Sequence, residues 1–585
     1  MLTKKINKMK KLFRTKGSVL SLFMGCLFIS PITLSKTFPY EENGSVRVDT
    51  VQVNLSNPSQ DQALNQRIID QVRKNIAIFP GEIVSEDKLD FLTARLRNSL
   101  QLQDLSYDAE TSMSGGLNLT LNVTLGDNLV TTGKGYLIDN NKKTLPLLYD
   151  RDGKYLKAKL ELLSMYYGNN NSWYGQPEKM LNGNPLVDAK PAGRGYDDWL
   201  EAFFHTGLYG MYPLGTNTFS YGGLSAIGTV STGQELFTDK TRSHFAVEDA
   251  YAGIVTGKTT ASGSRIVSNT SIGRQKFSLG DGMLIINTAS NGSDRAALQS
   301  NARWASDLVV QSQLQYNKTR FELFYVDPDE LPILDSKTII QGVNVQTNLY
   351  DGIDIGLSYL TVPKSTSKYY LPDGSVQVRD GLRVVDGRFR WQFLQNGKPS
   401  WLFATEYAQQ THQDFNMRAQ ASSYELAYQW ANIPMSPTLS YRYASFSGDD
   451  PNTQKYERWD PLFSGGNGEQ WVQGINHFKV VQNSNLITHR VQARFRPSQK
   501  VEIVPQFWLF KADSKLNLGG NPALSFMDST DYGKEFSTTA KYYYSRNLYI
   551  HGQLAYTQPG AAVKSALGGD AKDWWSSMLF VRYAF

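Results

Sequence analysis

Arginine alternates with apolar side chains in several short segments of the chain, among them VVDGRFRWQF and RVQARFRP. A row of cations along one face of a strand attracts anions, and rings of arginine in a pore favour anionic cargo. The acidic and basic residues that occupy the charged positions of these segments, and of RFELFYV and LSYRYASF, are Arg320, Glu322, Asp386, Arg388, Arg390, Arg442, Arg490, Arg494 and Arg496.

The spacing of two predicts β-strands, each with one apolar and one charged or mixed face. From about residue 150 such segments follow one another, separated by clusters of Gly, Asn, Asp and Pro. Some links are very short, such as DG at 351–352, whereas 280–303 and 448–485 are long. The eighteen predicted strands lie near residues 153–167, 198–213, 219–233, 243–257, 267–279, 304–317, 319–328, 338–350, 353–363, 382–394, 400–411, 418–431, 437–447, 486–497, 500–512, 535–546, 548–557 and 575–585.

The composition favours a barrel that crosses a membrane. The mean hydropathy is −0.39, although 12% of the residues are aromatic. This combination is typical of strands that face lipid on one side and water on the other. The predicted fold is therefore an all-β transmembrane barrel of about 18 antiparallel strands over residues 150–585, preceded by a small α+β domain.

The charged face of each strand is expected to line the lumen, because an Arg or Lys that faces lipid at mid-depth costs about 2–4 kcal/mol. Two interpretations of the arginines remain open. They can form a surface that attracts anions, or they can pair with lumenal acids and stiffen the wall.

The last segment, WWSSMLFVRYAF at 574–585, alternates in the same way and ends on an aromatic residue. This is the pattern of a closing strand in a bacterial outer-membrane barrel. Phe585 is accordingly predicted to be the signal by which the barrel assembly machinery recognises the chain.

Residues 1–35 have the pattern of a signal peptide. Seven basic residues between 4 and 16 precede the apolar run SVLSLFMGCLFISPITL, and small residues flank the predicted cleavage point after Ser35. Removal of this segment takes seven positive charges from a net charge of +6 and leaves −1, which argues against nucleic-acid binding. The only cysteine, Cys26, would also be lost, so the mature chain could form no disulfide or thiolate metal site.

Residues 45–127 are predicted to form a separate α+β domain. VRVDTVQVNL alternates as a strand, and two segments with apolar residues at helical spacing follow, the second capped by Ser85. A hairpin with Gly115 and Gly116 at its turn completes the order β-α-α-β-β. This order resembles a POTRA domain, the periplasmic module of outer-membrane insertases and two-partner secretion transporters. The resemblance implies a sheet edge that could bind an extended periplasmic partner through residues 46–125.

Several motifs in the longer region resemble the alginate export family of outer-membrane barrels. They are FAVEDAYAGI at 245–254, SIGRQKFSLGDGMLI at 271–285, LSYRYASFSGDDPN at 439–452, RWDPLFSGG at 458–466 and DYGKEFSTTAKYYYSRNLYIHGQLAYTQPG at 531–560. The resemblance covers about 195–585 and implies an eighteen-stranded monomer that passes an anionic polysaccharide. It places Arg274, of the GRQ motif, and Lys276 in the lumen. Asp449 and Asp450, where a strand passes into a long loop, could bind a cation or solvate the mouth of the loop. The family's barrel has no POTRA-like domain, which this chain adds.

The function expected from these features is an outer-membrane channel for anionic polysaccharide or small anionic sugars. The alternative is a protein transporter or insertase with a POTRA domain and a barrel. That group has a V/I-R-G-F/Y motif in a loop late in the barrel, whereas the nearest string here, GRGY at 193–196, precedes the second predicted strand. The six histidines are scattered and no Ser/His/Asp arrangement is evident, so neither an enzyme nor a cofactor is expected. The expected surroundings are outer-membrane lipid and lipopolysaccharide of a Gram-negative cell, with the N-terminal domain in the periplasm.

Overall fold

The computed structural model describes residues 46–125, 147–151, 154–184 and 193–584, with gaps at 77, 101, 216, 351, 396–397, 431, 466–471, 499 and 546. The predicted signal peptide, with Cys26, and the terminal Phe585 lie outside these residues. The predictions that concern them therefore stay predictions.

The N-terminal domain is a four-stranded mixed sheet covered by two helices. Its strand order is β2-β1-β4-β3, and β1 and β4 run parallel. Alternate residues of β4 are buried beneath apolar residues of both helices, such as Ile68 and Leu89. Ser85 caps the second helix, as predicted, by accepting a hydrogen bond from the backbone N–H of Lys88. The elements are β1 Val46–Leu55, α1 Gln62–Ile76, β2 Ile83–Val84, α2 Glu86–Leu100, β3 Asp104–Thr111 and β4 Leu117–Thr124.

Over the described residues, eighteen antiparallel strands form a closed barrel. Each strand pairs with the next along the chain, and the last, β25, pairs with the first, β6. The predicted fold class is confirmed, and each of the eighteen predicted strands matches one in the barrel. Its strands are β6 Lys154–Asn170, β7 Tyr196–Gly215, β8 Thr218–Gly233, β9 Arg242–Thr259, β10 Arg265–Arg274, β11 Leu308–Tyr316, β12 Thr319–Asp327, β13 Ile339–Tyr350, β14 Ile353–Lys364, β17 Leu382–Gln395, β18 Lys398–His412, β19 Arg418–Gln429, β20 Thr438–Phe446, β21 Leu486–Ser498, β22 Val501–Lys511, β23 Asp531–Tyr543, β24 Leu548–Pro559 and β25 Trp574–Ala584.

Smaller elements lie outside the N-terminal domain and the eighteen barrel strands. A short strand pairs with the start of β6, and a hairpin lies in the loop between β14 and β17. None of the described helices is long and apolar enough to cross a membrane. The smaller elements are β5 Leu147–Arg151, β15 Lys368–Tyr370, β16 Val376–Val378, α3 Pro177–Met180, α4 Ala561–Ala566, and single 3₁₀ turns at Ser172–Gly175, Ser293–Arg295, His477–Lys479 and Pro522–Leu524.

The two faces of the barrel wall differ as the alternation predicts. On β14, Leu357 is 57% exposed on the outside, whereas its neighbour Ser358 is 1% exposed on the inside. On β19, Leu426 is outside and half exposed, and Glu425 is buried on the inside. Polar side chains therefore fill the lumen, and apolar side chains form the outer surface.

The connections between strands differ in length at the two ends of the barrel. Tight turns, such as those after β11 and β13, lie at one end, and long loops lie at the other. The largest difference from a predicted boundary is at β10, which ends at Arg274 instead of reaching residue 279. Gly273 has a φ of +131°, and the backbone of β9 lies too close for a side chain there. Beyond Arg274 the chain turns, and Leu279 bridges Ile285 within the loop 275–307.

Candidate functional site in the barrel lumen

The arginines of the wall are paired with buried carboxylates. Glu425 accepts hydrogen bonds from Arg442 on β20 and, at 2.7 Å, from Arg490 on β21. All three side chains alternate with outward apolar residues, and Glu425 is 4% exposed. Because the cations come from two neighbouring strands and the acid from a third, the cluster ties β19, β20 and β21 together.

A second acid binds several cations in the same way. Glu502 on β22 lies 3.2 Å from Arg494, 3.1 Å from Arg496 and 3.4 Å from Lys541 on β23. On β17, Asp386 accepts a hydrogen bond of 2.7 Å from Arg388. The pairing of arginines with lumenal acids, one of the two interpretations of the sequence, thus describes these side chains.

Three other wall cations pair with acids of the N-terminal domain. Arg390 on β17 donates to Asp49 on β1 at 2.9 Å. Arg320 on β12 lies 3.6 Å from Glu82, which precedes β2. A third pair joins Lys157 of β6 to Asp90 of α2. The described residues belong to one compact unit, and these pairs place the domain against the inner face of the wall.

Apolar contacts locate the docked domain at the tight-turn end of the barrel. Ala94 and Phe91 of α2 pack on Tyr155 near the start of β6, together with Met211 and Phe219 close to the turn between β7 and β8. The domain therefore lies inside the mouth that the short turns surround. Its own core is a separate cluster that contains residues of 46–125 only.

Met113, in the turn between β3 and β4, makes a second apolar contact with the wall. It is 3% exposed and packs on Leu402 of β18 and Ala427 of β19. Wall donors also reach backbone carbonyls of the domain, since the Gln346 side-chain amide donates to Gly81 at 2.7 Å and Arg496 donates to Thr111. The docking surface is thus a mixture of small apolar patches and polar contacts, as is typical of interfaces between domains of one chain.

Asp49 owes its position to an irregularity in β1. The register between β1 and β4 shifts between Val48 and Thr50, which leaves Asp49 unpaired in the ladder. Its carboxylate accepts hydrogen bonds from Arg47 at 2.9 Å and from the hydroxyls of Ser112 and Ser114. The hydroxyl of Ser114 also accepts from Arg390 at 2.7 Å. This network orients the carboxylate toward β17.

The turn between β3 and β4 must contain glycine beside this network. A Cβ on Gly116 would lie 2.6 Å from the carbonyl oxygen of Arg47 and 2.7 Å from the Asp49 carboxylate. Arg47 in turn pairs with Asp281 in the loop 275–307. The domain is therefore linked both to the wall and to a loop from the opposite end of the barrel.

The loop 275–307 folds into the lumen and is fixed there by wall carboxylates. Glu201 on β7 accepts hydrogen bonds from the backbone N–H groups of Gln299 and Ser300 at 3.0 and 2.8 Å. Glu248 on β9 accepts from the backbone N–H groups of Trp304 and Ala305 at 2.6 and 2.9 Å. Buried carboxylates that bind backbone donors are strong, charge-assisted anchors.

The loop 447–485 is held in the same manner. Glu535 on β23 accepts from the backbone N–H groups of Asn476 and His477 at 3.0 and 3.2 Å, and Thr557 donates to it at 3.0 Å. The Asp460 carboxylate of this loop accepts a hydrogen bond of 2.7 Å from Arg379. The neighbouring Trp459 is fully buried. Apolar residues of both loops belong to the largest core cluster, which they share with the barrel wall.

Two cavities remain between the domain, the loops and the wall. One, of about 190 Å³, is lined by charged side chains that include Arg47, Asp281 and Glu425. The other, of about 230 Å³, is lined largely by aromatic and amide side chains such as Tyr251 and Gln313. Among the residues predicted to line a substrate path, Arg388, Arg390 and Arg442 line the first cavity, and Lys276, Arg320 and Glu322 line the second.

The remaining predicted site residues lie elsewhere. Arg274 is at the end of β10, near the long-loop rim, where it donates to Asp307 and Asp329. Asp449 accepts a hydrogen bond of 2.8 Å from the backbone of Glu457, and Asp450 caps a turn through Asn452. Within the described parts of the chain, no group of three or more His, Asp or Glu side chains is arranged to hold a metal.

The tertiary structure brings together one Ser/His/Asp group that the sequence did not reveal. Ser225 Oγ lies 2.8 Å from His205 Nε2 and donates to Asp249 at 2.6 Å. All three side chains are buried on neighbouring strands. The Asp249 carboxylate contacts both the serine and, at 3.4 Å, His205 Nε2, whereas His205 Nδ1 faces Glu161 at 3.9 Å. The group is a hydrogen-bonded cluster across β7, β8 and β9. Its members lie about 20 residues apart, which is a spacing without a local motif.

Comparison with known proteins identifies the barrel. The family model for alginate export matches residues 225–577, which is more than half of the chain. This protein belongs to the alginate export family. With its closed barrel it is an outer-membrane channel protein, and the small mixed sheet at the N-terminus is compatible with a POTRA-like domain.

Solved structures to which this chain is similar include three proteins of Pseudomonas aeruginosa. OccK3 (OpdO) has 13% identity and a TM-score of 0.42, with 74% of this chain and 95% of that chain covered. OccK5 (OpdH) has 11% identity and a TM-score of 0.41, with coverages of 73% and 98%. The outer membrane protein OprD has 12% identity and a TM-score of 0.41, with coverages of 73% and 93%. No curated protein has a sequence that matches this chain.

Proposed function

We propose that this protein passes anionic polysaccharide, or small anionic sugars, through the barrel. Membership of the alginate export family gives the transport class. The observation that carries the choice of an anionic solute is the set of inward arginines on β17, β20 and β21. Arg388 and Arg442 line the charged cavity, and Arg490 shares the Glu425 carboxylate with Arg442.

The inward arginines pair with carboxylates of the wall, and the pairs form clusters in which several cations surround one acid. Arg442 and Arg490 both bind the carboxylate of Glu425, so two cations lie together on the inner face of β20 and β21. Arg494, Arg496 and Lys541 gather around Glu502 in the same way. In a lumen enclosed by protein, clustered cations attract anions more strongly than they would at an open surface.

The same geometry supports a periplasmic location for the N-terminal domain. The domain docks at the end of the barrel that carries the tight turns, and in outer-membrane barrels short turns face the periplasm. Periplasmic partner binding through residues 46–125 remains a proposal, as does recognition of Phe585 by the assembly machinery.

Ion selectivity tests the proposed function. The refolded mature protein in a planar bilayer under a salt gradient is expected to give a reversal potential that indicates anion preference. Neutralising Arg490 and Arg494 together, as Arg490→Gln and Arg494→Gln, should reduce that preference. Lys534→Gln is the matched control, since Lys534 is exposed at the rim of β23. A preference for cations, or a preference that the double variant leaves unchanged, would refute an anionic solute.

A further inference from the structure

The N-terminal domain presents carboxylates to cations of the barrel wall. Asp49 binds Arg390, Glu82 lies beside Arg320, and Asp90 binds Lys157. These wall residues belong to β17, β12 and β6, so they are distributed around the lumen. In each pair the domain supplies the acid and the wall supplies the cation.

Carboxylates are also the charged groups of a uronic-acid chain. A cation that forms a charge-assisted hydrogen bond with an aspartate can form the same bond with a uronate, because geometry and charge are alike. The side chain of Asp49 is 1% exposed and that of Arg390 is 9% exposed, so a second carboxylate cannot reach this cation while the domain is docked. The domain and an acidic saccharide would therefore exclude one another from Arg390.

The way in which the domain is held differs from the way in which the loops are held. The loops 275–307 and 447–485 share the main core with the wall, and carboxylates of the wall bind their backbone N–H groups. The domain has a core of its own and meets the wall through ion pairs and two small apolar patches. A unit with a complete core loses little internal stability when it leaves, and a uronate can replace each acid that it withdraws from a wall cation. Departure of either loop would leave buried wall carboxylates without the backbone donors that bind them.

We propose that the N-terminal domain is a displaceable plug, and that acidic saccharides open the channel by competing with Asp49, Glu82 and Asp90 for Arg390, Arg320 and Lys157. The proposal rests on the proposed function, because it takes the solute to be a carboxylated saccharide. It adds that the solute is also the signal for opening, and that the two inward loops stay in place as the channel opens.

Single-channel recording of the mature protein, with uronic-acid oligomers or neutral oligosaccharides of equal length, tests the competition. We expect the uronate oligomers to raise the open probability about tenfold and the neutral oligomers to leave it unchanged. Asp49→Arg and Arg390→Asp should each raise the open probability without oligomer. The double variant should recover part of the closed state, because it rebuilds the pair with reversed charges but places a second cation beside Arg47. Asp70→Asn, on the exposed face of α1, is the control and should behave as the parent protein.

A chemical readout follows the plug itself. Met113→Cys places a single thiol at the buried contact with Leu402 and Ala427 in a mature chain that starts after Ser35 and has no other cysteine. Maleimide labelling of this thiol should be slow in the closed protein and should accelerate on addition of uronate oligomers. Heat-modifiable migration on gels checks that each variant barrel is folded.

The outcomes separate the two proposals. Faster labelling and more frequent opening with uronate alone support the plug and its competition with the solute. Block of an anion-selective current by uronate, with labelling unchanged, overturns the plug and leaves the proposed function intact. Labelling that accelerates for Asp49→Arg but responds equally to acidic and neutral oligomers overturns the competition. A cation-selective current in that open variant refutes the proposed solute.

Discussion

Asp49 and Arg390 form a hydrogen-bonded ion pair of 2.9 Å across the lumen, although 341 residues separate them in the chain. Asp49 belongs to a domain with its own core, and Arg390 to the barrel wall. The pair thus joins two units that fold around separate apolar clusters, and it does so at the mouth through which a solute would pass.

Replacement of Glu425 by glutamine should destabilise the barrel and increase its anion preference. The change leaves Arg442 and Arg490 buried without their shared carboxylate, and loss of one partner of a buried ion pair costs about 3–5 kcal/mol. Urea unfolding in lipid vesicles and the reversal potential measure the two effects. Asp373→Asn, in an exposed turn between β15 and β16, is the control and should change neither. An unchanged unfolding midpoint for Glu425→Gln would contradict a structural role for the cluster.

Replacement of Glu535 by glutamine should loosen the loop 447–485. Glutamine has one carbonyl oxygen where glutamate has two acceptors, and it lacks the charge that strengthens the bonds to the backbone of Asn476 and His477. Limited proteolysis of the protein in vesicles should then cut this loop at least several-fold faster. The neighbouring Lys534→Gln variant should be cut at the parental rate, and equal rates for both variants would show that Glu535 does not anchor the loop.

A methyl group at residue 116 should disturb the docking of the domain. Gly116→Ala would place a carbon against the Asp49 carboxylate and the Arg47 carbonyl, and overpacking of this kind costs about 1–3 kcal/mol. We expect more frequent channel openings and faster labelling of a cysteine at position 113. Gly387→Ala on β17 is the matched control, since its added methyl group meets nothing within 4 Å. Parental behaviour of Gly116→Ala would indicate that Asp49 is not needed for closure.

The attachment of the loop 447–485 should persist in mild acid. Burial by itself would raise the pKa of Asp460, but Arg379 and Tyr369 bind the carboxylate, and the pKa lies below its ordinary value. A lowered pKa means that the carboxylate stabilises the folded loop above its unfolded pKa of about 4, and that this contribution is lost as the pH falls further. Hydrogen exchange of residues 455–465, corrected for intrinsic rates, should stay slow from pH 8 to about 5 and accelerate below about 4.

The variant Asp460→Asn completes that experiment. It should exchange faster than the parent at neutral pH, because Arg379 then lacks a charged partner, and it should lose most of the acid dependence. Loss of protection in the parent near pH 6 would point to a group other than Asp460.

The alternation of residues along the chain determined much of this structure. A period of two fixes which side chains face the same way, so the strands, the closed barrel and the inward direction of Arg388, Arg442 and Arg490 follow from local pattern and from the cost of a charge in lipid. The helices of the N-terminal domain follow in the same way from apolar spacing and from the cap at Ser85. Motifs spread over the longer region were enough to indicate the family.

Only the tertiary structure decided what lies opposite each charge. Periodicity assigns a face to Arg390 but cannot name Asp49 as its partner, because the partner depends on which unit packs across the lumen. The inward course of the loops 275–307 and 447–485 has no periodic signal, since it is set by scattered carboxylates such as Glu201 and Glu535 on distant strands. The lumen of this barrel is filled by contacts between residues remote in sequence, and such contacts leave no local pattern from which they could be predicted.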